Sequence, residues 1–228
     1  LNILLSGIVG STAYGLANEH SDIDRIGVYA EPAVRFHGLH PPIDKAATKV
    51  SHNPDVTMHE ARKMALLSLG CNPTVTEIMW LPENLYETRT ELGDQLIAIR
   101  TAFVCAKRVR DAFFGYATSQ LHRLVETGRF QSKMRARSSK HGRHILRLLD
   151  SGFGFYATGR LEVRVEDPQR YIEFGERVAA DPEFGRTALA DAEARFDAAR
   201  SPLPAEPDEA AVERWLLEVR RIHHGGEQ

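Results

Sequence analysis

Long apolar runs are missing from this chain. No stretch approaches the roughly 20 residues that a membrane-spanning helix needs, so a membrane protein is not expected. Cysteine is scarce. Cys71 and Cys105 are the only two, and their spacing suits neither a disulfide scaffold nor a zinc knuckle; a reducing cytoplasm is the simplest setting. An excess of positive charge is absent as well. Lys plus Arg number 29 against 31 Asp plus Glu, a net charge of -2. Overall charge therefore does not select nucleic acid as a partner, and only a local basic patch would. No internal repeat is visible. What remains is 26% charged and 43% hydrophobic residues over 228 positions, the composition of a globular chain with one large domain or two small ones.

The opening LNILLSGIVGS has the apolar look of a signal peptide. It lacks a basic leading region and runs straight into a Gly-Ser turn, so residues 2–9 are expected to form a buried strand. The chain starts at Leu1, which leaves its N-terminal edge open. A short helix is expected near Ala13 to Asn18 and a second strand over residues 22–30 (DIDRIGVYA). Pro32, Gly38, Pro41 and Pro42 mark an irregular segment. A third strand is expected from Lys49 to Thr57, with Asn53 and Pro54 forcing an edge position or a bulge.

From His59 the apolar spacing turns helical and Gly70 ends it. One long helix is expected over residues 92–126, with a break near Ala102, and another over residues 133–149, ended by Gly152. RSPLPAEP (residues 200–207) reads as a linker before an amphipathic helix over residues 208–222. The reading is an α+β chain. Residues 1–95 carry a mixed sheet with helices, and residues 96–228 are mostly helical.

The chemistry concentrates in GSTAYGLANEHSDIDRIGVY, residues 10–29. Gly10 and Ser11 follow a strand and precede a helix start. A turn there can aim backbone N–H groups and the Ser11 hydroxyl at a phosphate, with Gly10 allowing close approach. Many such turns hold no ligand. Asp22 and Asp24 lie two apart on an expected strand, so their carboxylates share a face. Paired carboxylates repel, and a hard divalent cation such as magnesium resolves the repulsion. The plainer reading is a solvated turn capped by Asp22.

Taken together, strand, Gly-Ser, about ten residues, then Asp-x-Asp on the next strand resembles the nucleotidyltransferase superfamily typified by DNA polymerase β. The resemblance is closer to predicted nucleotidyltransferases of bacteria and phages, some associated with RNA repair. DVTMHEARKMALLSLGCNPTVTEIMWL (residues 55–81), RVRDAFFGYATSQLHRL (residues 108–124) and SKHGRHILRLL (residues 139–149) extend it over most of residues 3–160. It implies a polymerase β-like fold and a triphosphate held by Gly10 and Ser11. It also implies two Mg²⁺ ions, with Mn²⁺ as an alternative, on Asp22, Asp24 and a third carboxylate from a neighbouring strand. Asp55 is the candidate, with a helix-cap role as its alternative. Glu60 is the reserve, and Glu77 is read as structural or as a group supporting the ligands.

Lys133, Arg137, Lys140, His144 and Arg147 are spaced 4, 3, 4 and 3, which puts them on one helical face. A solvated face is the ordinary meaning of such a stripe; an anion opposite it is the other. The resemblance implies that Lys140 and His144, and less directly Arg147, face the nucleotide. Tyr14 either packs under the turn or stacks on a base. Arg25 is expected to be a surface or structural residue, and His223 and His224 to be tail residues. The implied activity is transfer of a nucleoside monophosphate from a nucleoside triphosphate to an acceptor hydroxyl, foremost an RNA 3′ end. A protein side chain, a small molecule, or an inactive nucleotide- or RNA-binding module are the alternatives. Oligomeric state and base preference are not encoded in any motif.

Overall fold

The computed structural model describes residues 1–19, 21–127 and 134–225. Strand β1 (Asn2–Val9) buries Leu4, Leu5 and Val9. Helix α1 follows at once (Gly10–Tyr14), and Gly15 ends it in the left-handed conformation at φ 75°. This helix begins earlier and is shorter than the sequence suggests, because Gly10 itself turns the chain at φ +67°, a conformation open to glycine and strained for other residues. Strand β2 is Asp24–Ala30, so Asp22 lies before the strand rather than on it.

The expected strand from Lys49 to Thr57 is in fact two, β3 (Thr48–His52) and β4 (Asp55–Glu60). They pair antiparallel around Asn53–Pro54. Pro54 sits in the turn, where its missing N–H removes no ladder bond. The last strand is β5 (Tyr86–Arg89). Among the described residues the sheet order is β3-β4-β2-β1-β5, with β2 and β4 parallel and the other neighbours antiparallel. β3 is thus at the sheet edge, and β4 lies inside the sheet.

Helix α2 (Ala61–Leu69) starts after His59 because Glu60 is its cap; the Glu60 carboxylate accepts from Arg62 N at 2.8 Å. Helix α3 (Pro73–Thr76) is capped by Asn72, whose Oδ1 accepts from the backbone of Thr74 and Val75. A 3₁₀ turn, Glu77–Trp80, continues it. The long helix expected over residues 92–126 is divided. Helix α4 (Glu91–Ala98) and a 3₁₀ turn, Arg100–Phe103, precede α5 (Ala106–Thr127), and the interruption falls at the anticipated place.

Helix α6 (Met134–Thr158) runs through Gly152 instead of stopping there. A Cβ at Gly152 would collide with Phe113 of α5, so this glycine serves close helix packing and not termination. The stop comes at Gly159, φ 75°. Helices α7 (Pro168–Ala180) and α8 (Pro182–Ala198) complete the helical part. A Cβ at Gly142 would lie 2.8 Å from Gly175 Cα, so α6 and α7 touch backbone to backbone there.

The chain forms two compact units, residues 1–104 with 206–228, and residues 105–205. This differs from the division at residue 95 read from the sequence, chiefly because the C-terminal segment belongs to the sheet unit. Helix α9 (Glu209–Ile222) buries Val212, Trp215 and Val219. Trp215 Nε1 donates to Leu92 O at 3.0 Å, Arg220 pairs with Glu60 at 2.7 Å, and Ala33 N donates to His223 O at 2.8 Å. Composition placed α9 with its helical neighbours in sequence; its apolar stripe and Arg220 find their partners in the sheet unit. The fold is α+β, a mixed sheet with helices followed by a mostly helical part. Among the described residues no helix is long and apolar enough to cross a membrane.

Candidate active site

The turn after β1 and the first residue of β2 meet. Val9 pairs with Asp24 across the antiparallel ladder, so the next residue, Gly10, lies beside the Asp24 side chain. A Cβ on Gly10 would overlap Asp24 Oδ2. Glycine is therefore needed at position 10 twice over, for its positive φ and for the carboxylate that fills the missing side chain's space. Ser11, partly buried, is the next residue of α1.

Asp55 joins them through the parallel pair. Arg25 is opposite Val56, and one residue back the same register sets Asp24 beside Asp55 at the first positions of β2 and β4. Register neighbours on adjacent strands share a face, with backbones about 4.8 Å apart. Asp55 is thus a strand residue and not a helix cap. Asp22 is exposed, two residues before Asp24 and outside the ladder.

Among the described residues no group of three or more His, Cys, Asp or Glu is gathered so as to hold a metal ion. What the fold supplies is a pair of hard oxygen donors next to the Gly10–Ser11 turn. Their chemistry fits magnesium, which keeps waters and is held through one or two carboxylates together with substrate phosphates rather than in an all-protein cage.

Two further candidate carboxylates, Glu60 and Glu77, have partners elsewhere. Glu60 is buried with one oxygen on Arg62 N and the other on Arg220, which removes the reserve candidate for a ligand. Glu77 is buried too, and Tyr14 Oη donates to its two oxygens at 2.9 and 3.0 Å. Tyr14 is buried under the turn, so it packs and does not present a face to a base. Arg25 pairs with Glu87 at 2.9 Å, a structural role. The backbone carbonyls of His223 and His224 accept from Ala33 and Val34, so these residues clasp the sheet unit and are not a loose tail. His59, buried on β4, contacts Thr48 Oγ1 through Nδ1 at 3.0 Å. Burial, then the Lys63 charge, lowers its pKa.

In the helical unit the basic stripe changes character along α6. Lys133 lies outside the described residues, and only the backbone of Arg137 is described. Lys140 is exposed, His144 partly buried and Arg147 buried. The stripe is thus not one uniform solvated face. Burial first, then the charges of Arg147, His141 and Lys140, lower the His144 pKa to about 3, so the imidazole is neutral near pH 7. Arg147 Nη2 lies 3.4 Å from His144 Nδ1. Arginine has only donors, so Nδ1 accepts and the ring hydrogen sits on Nε2.

A cue for Asp24 and Asp55 was present in the sequence. The Tyr14–Glu77 pair had none, because its members are 63 residues apart and each has an ordinary packing role when read alone.

A model of the RlaP family, described as the RNA repair pathway DNA polymerase beta family, matches residues 1–153, two thirds of the 228 residues. The match ends inside α6 and leaves out α7, α8 and α9. No curated protein matches the chain.

Proposed function

Because the chain belongs to the RNA repair pathway DNA polymerase beta family, we propose that it transfers a nucleoside monophosphate from a nucleoside triphosphate to the 3′ hydroxyl of an RNA. The observation that carries this reading is the Asp24 carboxylate lodged against Gly10, with Asp55 beside it in the β2–β4 register. That arrangement sets two anionic oxygen donors next to a Gly-Ser turn, as nucleotidyl transfer requires.

In the proposed reaction the acceptor oxygen forms a bond to the α-phosphorus. The α–β phosphoanhydride bond breaks, and its electron pair leaves with pyrophosphate. Gly10 and Ser11 hold the β- and γ-phosphates with backbone N–H groups and the Ser11 hydroxyl. Asp24 and Asp55, with Asp22 two residues before the strand, would hold divalent cations, magnesium by preference, which would supply charge neutralisation and a lowered pKa for the attacking hydroxyl. Asp55 takes the hydroxyl proton as the new bond forms. In the helical unit, Lys140, Arg147 and the neutral His144 are the candidates for binding phosphate that the family resemblance implies.

The test is incubation with each labelled nucleoside triphosphate, Mg²⁺, and total RNA or total protein, followed by identification of what becomes labelled. Label at RNA 3′ ends, with pyrophosphate released in step, supports the reading. Label on protein or on a small molecule moves the acceptor to that class. Nucleotide or RNA binding without pyrophosphate release would leave only a binding module.

A further inference from the structure

The Tyr14–Glu77 contact lies directly behind the elements just assigned to the triphosphate. Tyr14 is the last residue of α1, and Gly10 is the first. Helix α1 is only five residues long and has no side-chain cap at its start. So short a helix does not hold its own position, since nucleation is costly and propagation barely begins. Something outside it must set where it lies.

Leu16 N donates to Ser11 O at 2.9 Å and closes its C-terminal end from within, and contacts with other elements set its place. Asp24 fills the space at Gly10. Glu77 takes the Tyr14 hydroxyl on both oxygens, with Glu77 1% and Tyr14 8% exposed. Glu77 itself stands on a rigid bracket. Asn72 caps α3 with Pro73 at its first position, and the 3₁₀ turn that Glu77 begins has Ile78 and Met79 fully buried.

We infer that Tyr14 and Glu77 are positioning residues: the phenol–carboxylate contact fixes α1 so that the Gly10–Ser11 turn keeps its place against Asp24. The inference rests on the reading of Gly10, Ser11 and Asp24 given above. Neither residue touches the nucleotide in it. Loosening the contact lets α1 shift as a body, which misplaces the groups that hold the triphosphate and at the same time opens the wall against which Asp24 is held. Both nucleotide binding and turnover then suffer, although the folded core is retained.

Tyr14→Phe is the primary variant, because it deletes one hydroxyl and keeps the ring. Its KM for the nucleoside triphosphate should rise about tenfold and its kcat should fall about tenfold, measured well below its melting temperature. Glu77→Leu should produce the same split, and the double variant should lose less than the product of the two single losses, since both break the Tyr14–Glu77 contact. Glu77→Gln keeps an acceptor oxygen for Tyr14 and should retain most of the activity. If Glu77→Leu does not fold, Tyr14→Phe compared with Glu77→Gln carries the test. A Tyr14→Phe protein with a lowered melting temperature but unchanged KM and kcat overturns the inference while leaving the nucleotidyltransferase reading intact. So does a double variant whose losses multiply. A wild-type chain that neither binds nor transfers any nucleoside triphosphate overturns both.

Discussion

Among the described residues the two units bury charged side chains of opposite sign. In the sheet unit the buried charged side chains are carboxylates, Glu31, Glu60 and Glu77. Glu60 has Arg220 and a backbone N–H, Glu77 has the Tyr14 hydroxyl, and Glu31 has Arg35 and Lys49 at 3.2 and 3.1 Å. Among the described residues of the helical unit the buried charged side chain is Arg147, beside the largely enclosed, neutral His144. The unit's most connected carboxylate, Asp150, is only partly buried, where it joins Arg170 at 2.6 Å and Tyr171 at 3.0 Å. Buried and partnered carboxylates stiffen a frame. The difference is that the described buried charge is anionic and partnered in the sheet unit and cationic in the helical unit.

The largest expected effect tests the sheet unit's side of this contrast. Asp24→Asn should lower kcat by about three orders of magnitude or more, with folding stability nearly unchanged, since it removes charge and keeps shape. Asp55→Asn should lower turnover about a hundredfold and leave nucleotide affinity nearly intact. Single-turnover kinetics with pyrophosphate detection check both, and wild-type rates in the Asp24 variant would dissolve the proposed site.

Next comes the frame itself. Arg220→Ala strands the Glu60 carboxylate, 1% exposed, and should destabilise the sheet unit by about 3 kcal/mol. Urea denaturation would measure this. A loss below about 1 kcal/mol would mean that α9 is held by Trp215 and its apolar stripe alone.

Lys140→Ala probes the helical unit. Removing an exposed cation assigned to phosphate charge should raise the nucleotide KM about tenfold, worth about 1.4 kcal/mol, with melting temperature unchanged. If KM does not move, Lys140 is part of an ordinary solvated face.

The smallest effect is on pH dependence. The His144 pKa is lowered from 6.5 to about 3 in the folded protein, so between those values the unfolded chain binds a proton that the folded chain does not. Stability contributed by this site is present above about pH 6.5 and declines as pH falls toward 3, by at most about 1.4 kcal/mol per pH unit. His59, also lowered, acts in the same direction. Chemical denaturation between pH 7 and pH 4 should show His144→Gln losing less stability on acidification than the wild type. Identical slopes would mean that the imidazole is open to water.

Much of the fold was legible in the sequence because local rules decided it. The apolar run of β1, the proline-rich irregular segment and the break near Ala102 each follow from side-chain chemistry over a few residues. One expected strand proved to be a hairpin, with Pro54 in its turn, β3 at the sheet edge and β4 inside the sheet. Gly152 misled because a glycine that stops a helix and one that admits a neighbouring helix are the same in sequence. Only the position of Phe113 tells them apart.

The sequence by itself determined the family, through the ordered segments within residues 1–153, and with it the Gly10–Ser11 and Asp-x-Asp elements. These are short-range patterns, in which spacing along the chain is already spacing in space. The tertiary structure alone decided that Asp55 begins a strand beside Asp24, that Glu60 belongs to Arg220 and Glu77 to Tyr14, and that His144 is neutral. Partners separated by 63 or 160 residues leave no periodic trace. A side chain's charge in a fold depends on how much water and which neighbours packing leaves around it, and no local pattern records that.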